Sequence, residues 1–268
     1  MPKSGAERIV EAAAFALATL VFIVLYAPVI VSAVFSLFET RAGKILWDTF
    51  TTRYYVTLWS NESVMDALSY TFVVAICSVI LASIAAVGLA LYTQWQGAIG
   101  RNALTLMIYL PFLLPPIVTG LSLLVGSANA GLDRGILTLV AGHTIFVLAV
   151  AYRLVLTRLQ ALPPSMIEAS FDLGASRWST LRHVLLPHLG SAILTGALLA
   201  LTLSFDETLI SSFVAGDRMT LPLRLWAMMR VGFTPEINAL VTLVLLVSIA
   251  LALASARLLK PAAESEED

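Results

Sequence analysis

An all-α membrane protein of six transmembrane helices is the fold class this sequence predicts, on three observations. Of its 268 residues, 59% are hydrophobic and only 12% are charged, against roughly 25% charged in soluble domains. The mean hydropathy is +0.91 for the chain as a whole. Stretches free of Asp, Glu, Lys and Arg recur at the length a bilayer demands, because about 30 Å of hydrocarbon takes about 20 helical residues. A helix satisfies its own backbone groups in lipid, so these stretches read as helices of a bundle.

The six stretches are Ala12–Phe38, Ala67–Gly100, Asn102–Leu132, Gly135–Tyr152, Leu189–Phe205 and Ile237–Ala256. The first follows Lys3 and Arg8 as a signal peptide would, but its apolar run exceeds the roughly 7–15 residues of a cleavable segment. It is expected to be an uncleaved first helix. Six spans put both termini on one side. That side would carry Lys3, Arg8, Arg101, Arg153, Arg158, Arg177, Arg182, Arg257 and Lys260. The other would carry Arg41, Lys44, Arg53, Arg134, Arg218, Arg224 and Arg230. The excess of cations places the first side, with both termini, in the cytoplasm. The expected organisation is a cytoplasmic N-terminus (1–11), a six-helix domain (12–257) with a loop at 159–187, and an acidic cytoplasmic tail (258–268) ending AAESEED.

Between the first two spans, Trp47, Tyr54, Tyr55 and Trp59 suit a segment lying at the membrane–water interface. The third span contains LPFLLPPIVTG. Each internal proline removes a backbone bond and clashes one turn back. The result is either a kink that shapes packing or a bend that lines a path. Thr234-Pro235-Glu236 is an N-cap, N1 and first-turn acid that start the sixth span.

Several chemistries are excluded. A net charge of −1 offers no basic surface for nucleic acid. Cys77 is the only cysteine. One thiol makes neither an intramolecular disulfide nor a metal site, and Cys77 is expected to be a small buried hydrophobe. His183 and His188 lack the i,i+4 spacing of a helical zinc site, and no phosphate-binding G-x-x-x-x-G-K-[ST] loop is present. His143, in the fourth span, is expected to hydrogen-bond between helices.

The loop between spans four and five reads PPSMIEASFDLGASRWSTLRHVLLP. Pro163 and Pro164 stop the preceding helix, and Ser165 with Glu168 has the capping-box spacing. A short helix over Met166–Leu173 follows, Gly174 takes a left-handed C′ position, and Ser176 caps a second helix that ends before Pro187. Met166, Ile167, Phe171 and Leu173 give the first helix apolar surface. It can bury that surface in a partner's groove or against the chain's own helices.

EASFDLGASRWSTLRHVLLP resembles the EAA motif of binding-protein-dependent ABC importer permeases. Glu168, Ala169, Gly174, Leu186 and Pro187 match in register; Ser170 replaces an alanine and Val184 an isoleucine. SFDETLISSFVAG, LPLRLWAMMRVGFTPEINAL and the prolines of the third span resemble the second permease subunit of the spermidine/putrescine branch. The resemblance implies a type I importer permease (MetI-like) fold in a bacterial inner membrane, with the loop as a cytoplasmic coupling helix. Glu168, Ala169, Ser170, Asp172, Gly174, Ala175, Leu186 and Pro187 would then face an ATPase subunit. The implied partners are a second, different permease subunit, two ATPase subunits that bind ATP and Mg, and an extracytoplasmic binding protein. The chain itself would hold no cofactor and catalyse nothing.

A polyamine or another small cationic or amino-acid-like solute needs anionic partners. Asp206 and Glu207 end the fifth span, where acids are costly and call for a reason. They either face the solute, with Trp226 and Phe233 adding cation–π contacts, or sit at the outer surface paired with Arg218, Arg224 or Arg230.

Overall fold

The computed structural model describes residues 5–41, 44–95, 97–231 and 235–259. They fall into two compact units, one drawn from 1–62 and 227–247, the other from 63–226 and 248–268. Among the described residues, four helices are long and apolar enough to cross a bilayer, and a bent pair makes a fifth if it is one span.

In the first unit, α1 (Gly5–Phe35) starts within the segment expected to be an N-terminal tail. Its apolar window, Val10–Phe35, has no buried residue, so it offers side chains such as Phe15, Leu20 and Phe22 to its surroundings on every side. An antiparallel hairpin follows, β1 (Phe38–Arg41) and β2 (Lys44–Phe50), then α2 (Arg53–Ser60). The hairpin departs from the purely helical expectation. Its physical basis is cross-strand aromatic packing: Phe38 meets Trp47 edge-on at 5.3 Å and Phe50 at 6.1 Å. The Tyr55 hydroxyl pairs with Ser36 Oγ at 2.6 Å. Trp47 and Trp59 remain exposed, as interfacial aromatics are. The helix of the expected sixth span, α12 (Pro235–Leu259), has its first half in this unit and starts at the expected proline with Glu236 in its first turn; Thr234 lies outside the described residues.

In the second unit, α3 (Glu62–Gln94) buries Ala67, Ala75, Ala82, Ala86 and Ala90. Small side chains let helices approach closely, which is how packing holds a bundle whose surroundings are as apolar as its core. The opposite face carries Phe72, Ile76, Ile80 and Ile84 outward. Cys77 lies on that outer face and is exposed, not buried as expected. Val74, Ala75, Ser78 and Val79 take the core positions and leave 77 pointing away.

The third hydrophobic stretch is two helices, α4 (Arg101–Leu113) and α5 (Pro116–Asn129), which meet at 109°. This is sharper than a kink. Leu114 and Pro115 are extended, with ψ of 147° and 133°, because a residue before proline is driven out of the helical region. Pro116 then restarts the helix at its first turn.

Helix α6 (Ile136–Gln160) packs against α9 (Leu186–Phe205) along its length. A Cβ on Gly196 would stand 3.4 Å from the Ala151 backbone. Tyr152 is wholly buried, edge-on to Tyr109 and hydrogen-bonded to Thr93 Oγ1 at 2.9 Å. Between α6 and α9 lie α7 (Pro164–Asp172), α8 (Arg177–Thr180) and a π-helical turn at Leu181–Leu185. After α9 come α10 (Leu209–Val214) and α11 (Leu221–Val231).

Candidate functional site

Two features stand out at opposite ends of α9. The first is the loop that leads into it. Helix α7 begins at Pro164, with Pro163 as its extended N-cap and no side-chain cap bond. The expected Ser165–Glu168 capping box therefore does not form; a proline at N1 has no N–H to satisfy, so the helix starts one residue before Ser165. The C-terminus is as expected. Gly174 is left-handed at φ +82°. Its N–H donates to the Phe171 carbonyl at 2.8 Å, and the Ala175 N–H to the Ser170 carbonyl at 3.0 Å. This bond pair is a Schellman motif. Ser176 Oγ then accepts from the Ser179 N–H at 3.2 Å and caps α8.

Ser170 does more than replace an alanine. Its hydroxyl is buried, 2.7 Å from the Ile167 carbonyl and 2.9 Å from Thr180 Oγ1. It ties α7 to α8 across the glycine corner. Ile167 packs on the core beside Leu159 and Leu185, while Phe171 (46%), Leu173 (89%) and Trp178 (67%) are exposed. Glu168, Ala169, Asp172 and Gly174 are also exposed, and Ala175 is partly so. The loop thus has one face seated on the bundle and one bearing apolar and acidic groups.

Pro187 does not end the second helix. The π-helical turn carries the chain straight from α8 into α9, with the Leu186 N–H bonding the Leu181 carbonyl five residues back. Proline leaves the carbonyl four residues before it unpaired, and a π-turn just upstream absorbs the mismatch. His188 Nδ1 lies 2.7 Å from the Val184 carbonyl, and Arg158 Nε donates to the His188 carbonyl at 3.1 Å. Leu186 is partly buried and Pro187 exposed.

The second feature is the turn after α9. Asp206 and Glu207 are adjacent in sequence but differ in situation. Glu207 is 8% exposed, and its Oε1 accepts from the Ile210 N–H at 2.8 Å, capping α10. Asp206 is exposed, and among the described residues nothing hydrogen-bonds its carboxylate. Two of the three arginines proposed as alternative partners are engaged elsewhere. Arg218 pairs with Asp66 through Nε and Nη2 and lies 4.4 Å from the Tyr70 ring centroid. Arg224 Nη2 donates to Ser63 Oγ at 2.9 Å. Trp226 is 54% exposed on α11; Phe233 lies outside the described residues.

Glu236 lies near Tyr54 in the first unit: burial, then the Glu39 and Glu236 carboxylates, raise the Tyr54 phenol above its usual pKa. In the second unit, a groove of about 460 Å³ runs along the α4–α5 bend and α6, lined by Leu110, Pro111, Leu114, Leu123, Leu137 and Ile145 among others. It contains hydroxyls but no acid.

His143 is the functional-looking residue that sequence reasoning underused. Both ring nitrogens find hydroxyls, Nδ1 to Ser204 at 2.8 Å and Nε2 to Ser211 at 2.9 Å. A histidine hydrogen-bonding between helices was legible from the sequence; its two serine partners, 61 and 68 residues away, were not.

Several long apolar helices define a multi-pass membrane protein, with a capped loop at one end of α9 and an exposed carboxylate at the other. The chain belongs to the family of binding-protein-dependent transport system inner membrane components, whose family model matches residues 78–264. It is 35% identical over 242 residues to the spermidine/putrescine transport system permease protein PotC of Escherichia coli K12, covering 88% of this chain and 90% of that one. It is 37% identical over 235 residues to the putrescine transport system permease protein PotI of the same strain, covering 84% and 82%. Among solved structures it is similar to a bacterial ABC transporter involved in the import of the acidic polysaccharide alginate, with TM-score 0.73, 15% identity and coverage of 96% and 99%. It is also similar to the MetNI methionine ABC transporter, with TM-score 0.59, 20% identity and coverage of 78% and 97%. These structural likenesses speak to the fold. This protein is a permease subunit of an ABC importer.

Proposed function

We propose that this subunit forms half of an inner-membrane pathway for polyamines, spermidine and putrescine, and is driven by ATP hydrolysis in separate subunits. The observation that carries the substrate class is the similarity to PotC and PotI over more than four-fifths of the chain. The working assembly has a second permease chain beside it, two ATPase subunits that bind ATP and Mg on the cytoplasmic side, and a solute-binding protein outside. The chain itself is not an enzyme and holds no cofactor.

The loop and the acidic turn support this reading as two ends of one lever. The exposed Phe171, Leu173 and Trp178 suit a helix-in-groove contact with an ATPase subunit. Glu168, Ala169, Ser170, Asp172, Gly174 and Ala175 form or brace that contact, and Leu186 and Pro187 join it to α9. Helix α9 ends at Asp206, whose carboxylate is open to an ammonium group. Rocking of the two permease halves about this site would give alternating access. One observation favours a second reading: with Glu207 occupied as a helix cap, a single free carboxylate also suits another small cationic or amino-acid-like solute.

The test is uptake of labelled spermidine and putrescine in cells with and without this chain, its partner subunits being present. Loss on deletion, restored by the intact chain, is the expected result. Unchanged uptake would remove the polyamine assignment and leave the importer fold.

A further inference from the structure

A buried chain of directed hydrogen bonds joins α6, the end of α9 and α10. His143 is 1% exposed, Ser204 1% and Ser211 0%. Ser211 Oγ sits 2.9 Å from His143 Nε2 and donates to the Glu207 carbonyl, also at 2.9 Å. A hydroxyl has one proton. That proton is committed to the carbonyl, which cannot donate, so Ser211 Oγ must accept from the imidazole. Nε2 therefore carries the hydrogen. A ring this buried, bonded only to hydroxyls, is neutral because burying its charge is costly; Nδ1 is then left as an acceptor, and the Ser204 hydroxyl donates to it across 2.8 Å. The order is Ser204 to His143 to Ser211 to Glu207, every step in one direction and none needing solvent.

The geometry places this ring at both ends of one turn. Ser204 stands two residues before Asp206, and Ser211 five after it. The steric setting agrees. Ile210 is wedged against two glycines: a Cβ on Gly120 would come 3.1 Å from the Ile210 Cα, and one on Gly142 2.8 Å from its Cγ2. Glycine at 142, one residue before the histidine, lets α10 close onto α6 near enough for the imidazole to reach it. An imidazole is suited to the task because it presents one donor and one acceptor on separated edges of a rigid ring. No aliphatic side chain does this, and a hydroxyl is too short to span both partners.

We propose that His143 is a positioning residue: a neutral, Nε2-protonated imidazole that clamps the turn between α9 and α10 and so holds Asp206 toward the solute. This rests on the reading of Asp206 as a solute-facing group. Helix α6 is the counterpart of α9 along most of its length, so the clamp closes at the far end of the same helix pair whose near end carries the loop.

The experiment uses the whole transporter with its partner subunits in proteoliposomes, labelled putrescine as the probe, and ATP hydrolysis read in parallel. His143→Leu fills the space but satisfies neither serine. It is expected to raise KM for putrescine about tenfold, as loss of a buried hydrogen-bond partner implies, with ATP hydrolysis per complex within about twofold of the parent. His143→Gln returns an N–H toward Ser211 and is expected to recover most of the loss. Should His143→Leu fail to assemble, Ser204→Ala removes one hydroxyl alone and is expected to raise KM by about threefold. In a double variant with Asp206→Asn the two losses should not multiply, because one acts through the other. An unchanged KM in both His143→Leu and Ser204→Ala, or losses that multiply, would overturn the proposal. A silent Asp206→Asn beside an impaired His143→Leu keeps the clamp and removes Asp206 as the solute contact. An impaired Asp206→Asn beside a silent His143→Leu does the reverse.

Discussion

Asp206 and Glu207 are neighbours with different duties. Glu207 is buried and spends its carboxylate on the Ile210 N–H, whereas Asp206 is exposed. Loss of a helix cap costs about 1 kcal/mol. Glu207→Ala is therefore expected to lower the melting temperature of the purified complex, and Glu207→Gln, which keeps an acceptor oxygen, to restore it. Equal melting of all three would remove the capping role. The sequence shows two acids at the end of an apolar run, which is enough to locate the site. It does not show which acid is free, because that depends on a six-residue helix too short to leave a periodic signal. The same holds for Arg218. Its partner Asp66 is 152 residues away, and no local pattern connects them.

At the scale of the element, the loop of 163–187 was the most legible part of the chain. Its glycine corner and Ser176 cap are local chemistry, fixed by residues a few positions apart, and both form as their sequence implies. What escaped were the features set by tertiary packing or by competing prolines: the Ser170–Thr180 bond, the absent capping box, and the run-on through Pro187. The 38–50 hairpin and the 109° turn in the third stretch escaped for a similar reason. Prolines announce a break, but neighbours set its angle. Gly174→Trp puts a bulky side chain at a left-handed residue, a conformation that costs an L-residue about 1–2 kcal/mol. The open space around this position leaves the rest of the fold undisturbed. Uptake is expected to fall at least about tenfold, with solute-stimulated ATP hydrolysis lost and membrane levels of the chain unchanged. Normal coupled uptake in this variant would show that the loop does not transmit work.

For the whole molecule, the surface says as much as the core. The outer face of α3 and all of the described α1 window present large apolar side chains, as expected of a chain set in a membrane. We infer six spans with both termini in the cytoplasm. The four long helices, the bent pair and α12 supply them, and the bias of positive charge sets their direction. Reporter fusions test this. An alkaline phosphatase reporter should be inactive at either terminus and active when inserted after Arg41 or Asp217, and a fluorescent protein should show the opposite pattern. Activity of the phosphatase at one terminus only would mean an odd number of crossings and would displace the α4–α5 pair from the count.

The π-helical turn at Leu181–Leu185 holds one residue more than the α-helical turns on either side of it. If that surplus were drawn into regular α-helix, everything below it would screw by about 100° and advance by about 1.5 Å relative to everything above. The junction between loop and span is thus built with slack already wound in. On the proposed function, torque arriving from below would have a place to be stored or let go without stretching the bundle above it, and the joint would behave as a torsion spring instead of a rigid rod.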